Sequence, residues 1–155
     1  MSKWDKRFME MASVIAGWAS CYQEGRKIGA VIVKDKRIMT TGYNGAPAGV
    51  KTCVERGECL RKKLGIASGT HHEICYAVHA EQNAIIQAAR LGVSIAGATL
   101  YCTHQPCVLC AKMIVNAGIE RVVYRAGYPD EFSVTMLSEG GVKLEKYEED
   151  APDGE

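Results

Sequence analysis

Two short segments that carry metal-binding side chains constrain the fold of this 155-residue chain more than any other feature. The segment His-Ala-Glu at 79–81 leads into a run of good helix formers. Pro106 and Cys107 open a second helical pattern, which includes Cys110 one turn later. Both sulfurs can therefore reach one ion, and an imidazole nitrogen from the first segment can join them. The sequence thus predicts a fold in which two helix N-termini meet.

Three ligands (His79, Cys107 and Cys110) leave the fourth tetrahedral position for water, which is the arrangement of a catalytic zinc site. Zinc can lower the pKa of a bound water from 15.7 to about 7. Glu81 is close enough to take the water proton and pass it to a leaving amine. The pattern H-x-E followed by P-C-x-x-C is typical of zinc-dependent nucleobase deaminases. A redox cysteine pair or a structural four-ligand zinc knuckle would leave Glu81 without a role.

The charge balance of the chain excludes some classes of partner. Lysine and arginine number 19 against 18 aspartates and glutamates, so no global positive field attracts a polyanion. A general nucleic-acid or membrane-surface binder usually needs a basic patch, so we expect neither partner. A small anionic substrate needs only a few local cations and stays compatible with this balance.

The cysteines and the N-terminus indicate a cellular compartment. No secretory signal pattern and no apolar run long enough to span a bilayer is present, which predicts a cytoplasmic protein. Seven cysteines in that compartment favour metal ligation or buried thiols over disulfides. Cys102, inside a predicted strand, is interpreted as a small buried hydrophobe.

The first half of the chain predicts one helix, a hairpin and a long loop. Apolar residues at steps of four and three predict a helix over residues 3–20, with the stripe Trp4, Phe8, Met11, Ile15 and Trp18. Two β-branched runs, IGAVIVKD and KRIMTTGY, meet at residues 34–36 and predict a hairpin. Residues 44–70 have few apolar repeats and predict a loop with one helical turn near 59–64.

Helices and strands alternate in the second half. Helical patterns cover residues 78–91, 107–118 and 130–139, and short strands are expected at 98–102, 121–124 and 142–144. This alternation predicts βαβ units and a largely parallel region of an α/β fold. We expect a single domain over residues 1–147, with a metal-held loop insertion at about 44–75. The acidic residues 148–155 are expected to form a flexible tail.

Four segments, IGAVIVKDKRI, GYNGAPAG, VHAEQNAI and PCVLC, make the chain resemble the deoxycytidylate (dCMP) deaminases of the cytidine deaminase superfamily. The resemblance runs from about Trp4 to Leu144. The two zinc segments are shared by the whole superfamily, whereas GYNGAPAG narrows the match to the deoxycytidylate branch. The resemblance implies a three-layer α/β/α cytidine deaminase-like fold with a central mixed sheet of about five strands.

The resemblance also implies an activity, a cofactor and an assembly. The expected reaction is zinc-dependent hydrolysis of dCMP at C4 of cytosine to dUMP and ammonia, which supplies dTMP synthesis. A homo-oligomer, often a hexamer, is implied, with dCTP and dTTP as effectors and Mg²⁺ on the regulatory nucleotide. Composition and spacing say nothing about these last points.

The resemblance or the position in the chain suggests substrate and regulatory roles for several residues. Most of these residues also have a simpler structural explanation. The resemblance implies that Asn44 contacts the deoxyribose, although an Asn-Gly pair is also a common turn. Arg26 precedes the first strand and is a candidate for the 5′-phosphate, or else a solvated charge. Tyr128 is a candidate for stacking on the base, or else a core aromatic. The implied regulatory residues are Gly42, Tyr43, Gly45 and Arg90, the last of which also fits a helix-end arginine favoured by the dipole.

A second, structural zinc is implied for some members of the family. Cys21, Cys53 and Cys75 with His71 fit the expected regions, and Cys59 is a rival ligand. A loop with so few apolar residues needs another stabilising interaction, and a bound metal can supply folding energy.

Two other functions stay open from the sequence. The chain could be a different deaminase of the superfamily, acting on another cytosine nucleoside or nucleotide, on a purine base, or on a base in tRNA. The near-balanced charge argues against tRNA. A non-catalytic zinc module that binds nucleotides is the alternative outside enzymes.

Overall fold

A computed structural model describes residues 1–127 and 130–149. Within this range five strands form one sheet: β1 (Gly29–Lys34), β2 (Arg37–Tyr43), β3 (Thr99–His104), β4 (Arg121–Ala126) and β5 (Lys143–Lys146). Their order across the sheet is β2-β1-β3-β4-β5. β1 is antiparallel to β2 and β3, whereas β3, β4 and β5 are parallel. The predicted hairpin and the predicted parallel region are both confirmed.

Six helices accompany the sheet in the described residues: α1 (Lys3–Ala16), α2 (Cys53–Arg56), α3 (Leu60–Lys63), α4 (Ala80–Leu91), α5 (Val108–Asn116) and α6 (Glu131–Glu139). Short 3-10 turns occupy Glu24–Arg26 and His72–Ile74. α1 packs on one face of the sheet, and α4, α5 and α6 belong to the core on the other face. The three-layer α/β/α fold is therefore confirmed. No described helix combines the length and apolar character needed to cross a membrane.

The alternation of side chains along the strands produces the two cores. Val31, Tyr101 and Val123 face α1, while the neighbouring residues Leu100 and Val122 face the other three helices. Successive residues of a strand point to opposite faces, so each buried strand serves both layers. This double burial explains why the strands read as continuous apolar runs in the sequence.

The predicted stripe on α1 is only partly correct. The helix ends at Ala16, just before Gly17, so Trp18 lies beyond it and is 61% exposed. Met11 is also 39% exposed, and the buried face instead includes Met9 and Ala12. Steps of four and three are compatible with more than one buried face of a helix. The small side chain of Ala12 lets α1 approach the sheet closely, and this approach determines which face is buried.

A buried ion pair joins the start of α1 to the sheet. Asp5 Oδ1 accepts hydrogen bonds from Arg121 Nη1 at 2.7 Å and from the Tyr101 hydroxyl at 2.8 Å. Arg121 also binds Glu145 on β5. Burial acts to raise the pKa of Asp5, but the Arg121 guanidinium, the Ser2 backbone and the Tyr101 hydroxyl outweigh it and hold that pKa well below its ordinary value.

We expect Asp5→Asn to lower the free energy of unfolding by about 2 kcal/mol at neutral pH, because it leaves Arg121 partly buried without this partner. The wild-type carboxyl has a lower pKa in the folded state than in the unfolded state. The stabilisation that the ionised Asp5 gives to the folded state is therefore complete above the pKa of an unfolded aspartate, about 3.9. This stabilisation is lost progressively as the pH falls from that value toward the lower pKa of the folded state. Urea unfolding at pH 7 and pH 3 should show a smaller difference between the two proteins at pH 3.

The control is Glu58→Gln, which removes an exposed ion pair with Lys63. This change should alter stability by less than about 0.5 kcal/mol. Equal effects of the two substitutions would contradict the role assigned to Asp5.

Candidate metal centre and active site

The N-termini of α4 and α5 meet at the carboxyl end of β3. His79 is the N-cap of α4, and Cys107 is the N-cap of α5. The His79 backbone N–H donates to Gln82 Oε1 at 2.9 Å, which helps to fix the start of α4. Ser133 Oγ on α6 donates to the Pro106 carbonyl at 2.7 Å and holds the start of α5. The predicted meeting of the two helix ends is confirmed.

His79, Cys107 and Cys110 form a compact ligand group. His79 Nδ1 lies 3.5 Å from Cys107 Sγ and 3.3 Å from Cys110 Sγ, and the three ligand atoms lie within 4.8 Å of one another. Zn–S and Zn–N bonds of about 2.3 and 2.0 Å in a tetrahedron separate sulfur from nitrogen by about 3.5 Å. Within residues 1–127 and 130–149 no other group of three or more potential ligands is as compact. The donor set and its spacing fit zinc.

The two cysteines compete for a proton in this arrangement. A hydrogen bond from Cys110 lowers the pKa of Cys107 to about 4, against the opposing effect of burial, and His79 adds to the lowering. The same interaction with Cys107, together with burial, raises the pKa of Cys110. The hydrogen bond to Cys107 raises the pKa of His79. A divalent cation bound here would hold both cysteines as thiolates and His79 as a neutral imidazole, so the shared proton would be released.

Glu81 lies beside this group with only 3% of its surface exposed. Burial raises the pKa of its carboxyl, although its own backbone N–H and His79 act in the opposite direction. Its Oε2 is 3.7 Å from Cys110 Sγ, and its Oε1 accepts a hydrogen bond from the Cys102 thiol at 3.2 Å. Cys102 is fully buried, as its interpretation as a small hydrophobe requires, but that interpretation missed the contact with Glu81.

A cavity of about 320 Å³ opens onto the metal ligands. His79, Glu81 and Cys107 lie in its wall, together with Asn44, Arg26 and His104. This volume falls within the range of pockets that bind small molecules. The geometry places an open-sided ligand group, a buried carboxylate and a cavity at one point.

Asn44 lines the cavity but also binds the nearby backbone. Its Oδ1 accepts from the Ile28 N–H at 2.7 Å, and its Nδ2 donates to the Arg26 carbonyl at 2.7 Å. One N–H and one lone pair remain for a ligand. The amide therefore fixes the segment that carries Arg26, and a deoxyribose contact stays a prediction. Arg26 itself lies in the cavity wall.

The glycines of the GYNG segment allow close packing. A Cβ at Gly42 would lie 2.1 Å from the Ala80 carbonyl oxygen, so only glycine lets β2 meet the start of α4. Gly45 pairs with Val78 through two backbone hydrogen bonds and fixes the residue before His79. Regulatory roles for these glycines and for Tyr43 stay predictions.

The other two predicted residues are less closely connected to the cavity. Arg90 is exposed near the end of α4, nine residues and about 14 Å along the helix from Glu81. Its regulatory role also stays a prediction. Tyr128 lies outside the described residues.

Arg61 is a cavity residue that the sequence interpretation missed. It is buried, and its guanidinium donates to the carbonyls of Ala67 at 3.1 Å, Thr70, and His71 at 2.5 Å. It therefore holds residues 67–71 against the cavity. The run RKK at 61–63 gave no signal that one of its cations is internal, because its partners are backbone carbonyls.

Three further cysteines, Cys21, Cys59 and Cys75, line the cavity, whereas Cys53 is buried and does not line it. Burial raises the pKa of Cys21, a backbone hydrogen bond from Gln23 opposes it, and Cys59 and Cys75 add smaller increases. After burial, charges on Cys75, Cys21 and Cys59 raise the pKa of Cys53. The His71 side chain is instead 68% exposed, and its Nδ1 lies 3.2 Å from Glu73. Cys59 thus lines the cavity together with Cys21 and Cys75, whereas His71 does not line it, and the ligands of a second zinc stay a prediction.

Comparisons with known proteins agree with this geometry. The zinc-binding region of cytidine and deoxycytidylate deaminases matches residues 2–126. Deoxycytidylate deaminase of Schizosaccharomyces pombe is 39% identical over 145 residues, which cover 93% of this chain and 44% of that protein. Deoxycytidylate deaminase of Mycobacterium phage D29 is 44% identical over 126 residues, with 78% and 93% coverage.

A solved structure is also similar. The crystal structure of dCMP deaminase from the cyanophage S-TIM5, in complex with dCMP and dUMP, matches with a TM-score of 0.77 at 34% identity. The match covers 95% of this chain and 99% of the cyanophage chain. The present chain thus spans under half the length of the yeast relative and nearly all of both phage proteins.

Proposed function

Because the chain belongs to the cytidine and deoxycytidylate deaminase zinc-binding family, we propose that it hydrolyses dCMP to dUMP and ammonia. One observation carries the proposal: the carboxylate of Glu81 is buried beside three zinc ligands at the wall of a cavity. A structural zinc knuckle or a zinc-stabilised binding module has no use for a carboxylate that is costly to bury in this position.

The residues of the site divide the chemistry among them. Zinc, when bound, supplies hydroxide at neutral pH because it lowers the pKa of water from 15.7 to about 7. His79, Cys107 and Cys110 are the ligands that would hold it. Glu81 accepts a proton from the attacking water and returns it to the departing amino group, so that cytosine and water become uracil and ammonia. The N-terminal ends of α4 and α5 favour negative charge at this point.

The nucleotide assignment is supported by the cations at the cavity. Arg26 and Arg61 both line it, and either gives a charged hydrogen-bond donor for a 5′-phosphate. The guanidinium of Arg61 is already engaged by loop carbonyls, so Arg26 is the better candidate. The deoxyribose is assigned to Asn44. These substrate roles follow the names of the relatives and the position of the side chains.

An ultraviolet assay of dCMP, CMP, dCTP and cytidine in parallel tests the substrate. We expect kcat/KM for dCMP to exceed that for cytidine by at least about tenfold, because a hydrogen bond between charged groups contributes about 1.5–3 kcal/mol. Arg26→Ala should reduce this preference, whereas Arg37→Ala, at an exposed position of β2, should leave it unchanged. Equal rates on dCMP and cytidine would reject the nucleotide assignment, and the absence of turnover on all four would reject the activity.

We also propose a second, structural zinc held by Cys21, Cys53, Cys59 and Cys75. The presence of Cys21, Cys59 and Cys75 in one cavity wall supports this set, and four thiolates form a common closed zinc site. The four sulfurs are less closely grouped than the three ligands of the first site, so zinc binding would have to draw them together. Cytoplasmic location, homo-oligomer formation, dCTP and dTTP as effectors, and Mg²⁺ on the regulatory nucleotide stay predictions from the family. Exposed apolar side chains on adjacent α5 and α6, including Met113 and Phe132, support self-association.

A further inference from the structure

Cys102 is a buried thiol that the proposed mechanism does not use. It lies in the central strand β3, paired with Ala30 on one side and Tyr124 on the other, and none of its surface is exposed. Its Sγ lies 3.2 Å from Glu81 Oε1 and donates a hydrogen bond to it. The residue therefore connects the rigid middle of the sheet to the catalytic carboxylate.

The two oxygens of Glu81 have different neighbours. Oε2 faces Cys110 Sγ at 3.7 Å, and Oε1 faces Cys102. A cysteine that ligates a metal is a thiolate and cannot donate a hydrogen bond. In the zinc-loaded protein, Cys102 is thus the remaining side-chain donor to Glu81 among the contacts of the described residues. Burial raises the pKa of Cys102 well above its ordinary value and keeps it in the donating thiol form.

We propose that Cys102 is a positioning residue, which holds Oε1 of Glu81 so that Oε2 faces the attacking water and the leaving amine. This inference rests on the proposed deaminase function. A carboxylate that must accept a proton and return it benefits from a fixed plane, because proton transfer depends on donor–acceptor geometry. Cys102 does not line the cavity, and its side chain donates its hydrogen bond to Glu81 rather than to a metal ligand.

Two substitutions separate this role from simple packing. Cys102→Val keeps a filled core position but removes the donor, while Cys102→Ser keeps a donor in a smaller, more polar side chain. Positioning predicts that kcat falls about tenfold in Cys102→Val and stays within about threefold of wild type in Cys102→Ser, with KM nearly unchanged in both. If Cys102 acts only through packing, Cys102→Ser should lose more activity than Cys102→Val. The reason is that a buried hydroxyl in an apolar layer costs more stability than a valine.

Thermal unfolding and zinc content complete the comparison. We expect Cys102→Ser to unfold at the lower temperature and yet to turn over faster than Cys102→Val, with the catalytic zinc retained in both. Leu100→Val, two residues earlier on the same face of β3, is the control for a core change without contact to Glu81, and its kcat should stay within about twofold. Equal kcat values for the two Cys102 variants, or a slower Cys102→Ser, would overturn the proposal.

A spectroscopic measurement keeps the test decisive if a variant folds poorly. The S–H stretching band of Cys102 in wild-type protein is expected at the position of a hydrogen-bonded thiol, and Glu81→Gln should shift it toward that of a weaker hydrogen bond. A band that does not move would reject the contact. If the wild-type protein turns over none of dCMP, CMP, dCTP and cytidine, the deaminase function fails instead, so the two failures are distinguishable.

Discussion

Glu81→Gln is expected to reduce dCMP deamination by roughly 10³–10⁴-fold while the protein keeps its catalytic zinc. An amide has nearly the shape of a carboxyl but cannot take a proton from water and return it, and general acid–base catalysis contributes about 10²–10⁴-fold. Glu81 is not among the three ligands, so the metal site should survive the change. Turnover of dCMP and zinc content per chain measure the two effects.

The stability of the same variant gives an independent check. Glu81 is only 3% exposed, and burial of a charged carboxylate costs free energy that a neutral amide avoids in part. We therefore expect the unfolding midpoint of Glu81→Gln to equal or exceed that of wild type. If the main role of Glu81 were to stabilise the fold, the unfolding midpoint of Glu81→Gln would instead be lower than that of wild type.

Glu10→Gln, at an exposed position of α1, is the control and should change neither activity nor midpoint. Loss of zinc from Glu81→Gln, or turnover within about tenfold of wild type, would contradict the assigned role.

The features that the sequence predicted correctly depend on neighbouring residues. The turn at Asp35 and Lys36 joins two β-branched runs, and both residues adopt positive φ, as a tight hairpin requires. Gly92 ends α4 in the left-handed conformation. Cys107 and Cys110 meet because helical spacing places them together. In each case the residues that decide the structure lie within a few positions of one another.

The features that were missed depend on contacts between distant parts of the chain. The thiol of Cys102 reaches Glu81 because β3 lies beneath the start of α4, and no local pattern marks that crossing. Arg61 is internal because it binds the carbonyls of residues 67–71. Trp18 was wrongly assigned to the buried face of α1. The periodicity of apolar residues indicates which face of a helix is buried, but not the residue at which the helix ends. The fold class and the meeting of His79, Cys107 and Cys110 were predictable, whereas the side chains that support them were not.

Cys59→Ser is expected to reduce zinc from two ions to one per chain, and His71→Ala to leave two. The reason is position: Cys59 lines the cavity together with Cys21 and Cys75, whereas the His71 side chain is 68% exposed beside Glu73. Three thiolates and a hydroxyl hold zinc less tightly than four thiolates. Metal analysis of the two purified variants measures the difference.

The effect on stability should be large because metal binding of this kind is coupled to folding. The segment from residue 44 to residue 75 contributes few apolar side chains to the two cores, so the proposed zinc would add to the hydrogen bonds of Arg61 in ordering it. Loss of about 4 kcal/mol corresponds to an unfolding midpoint lowered by roughly 10 °C for a chain of this length. The one ion that remains in Cys59→Ser should still support turnover, since His79, Cys107 and Cys110 are untouched. One zinc per chain in the wild-type protein, or loss of zinc from His71→Ala but not from Cys59→Ser, would contradict the four-cysteine site.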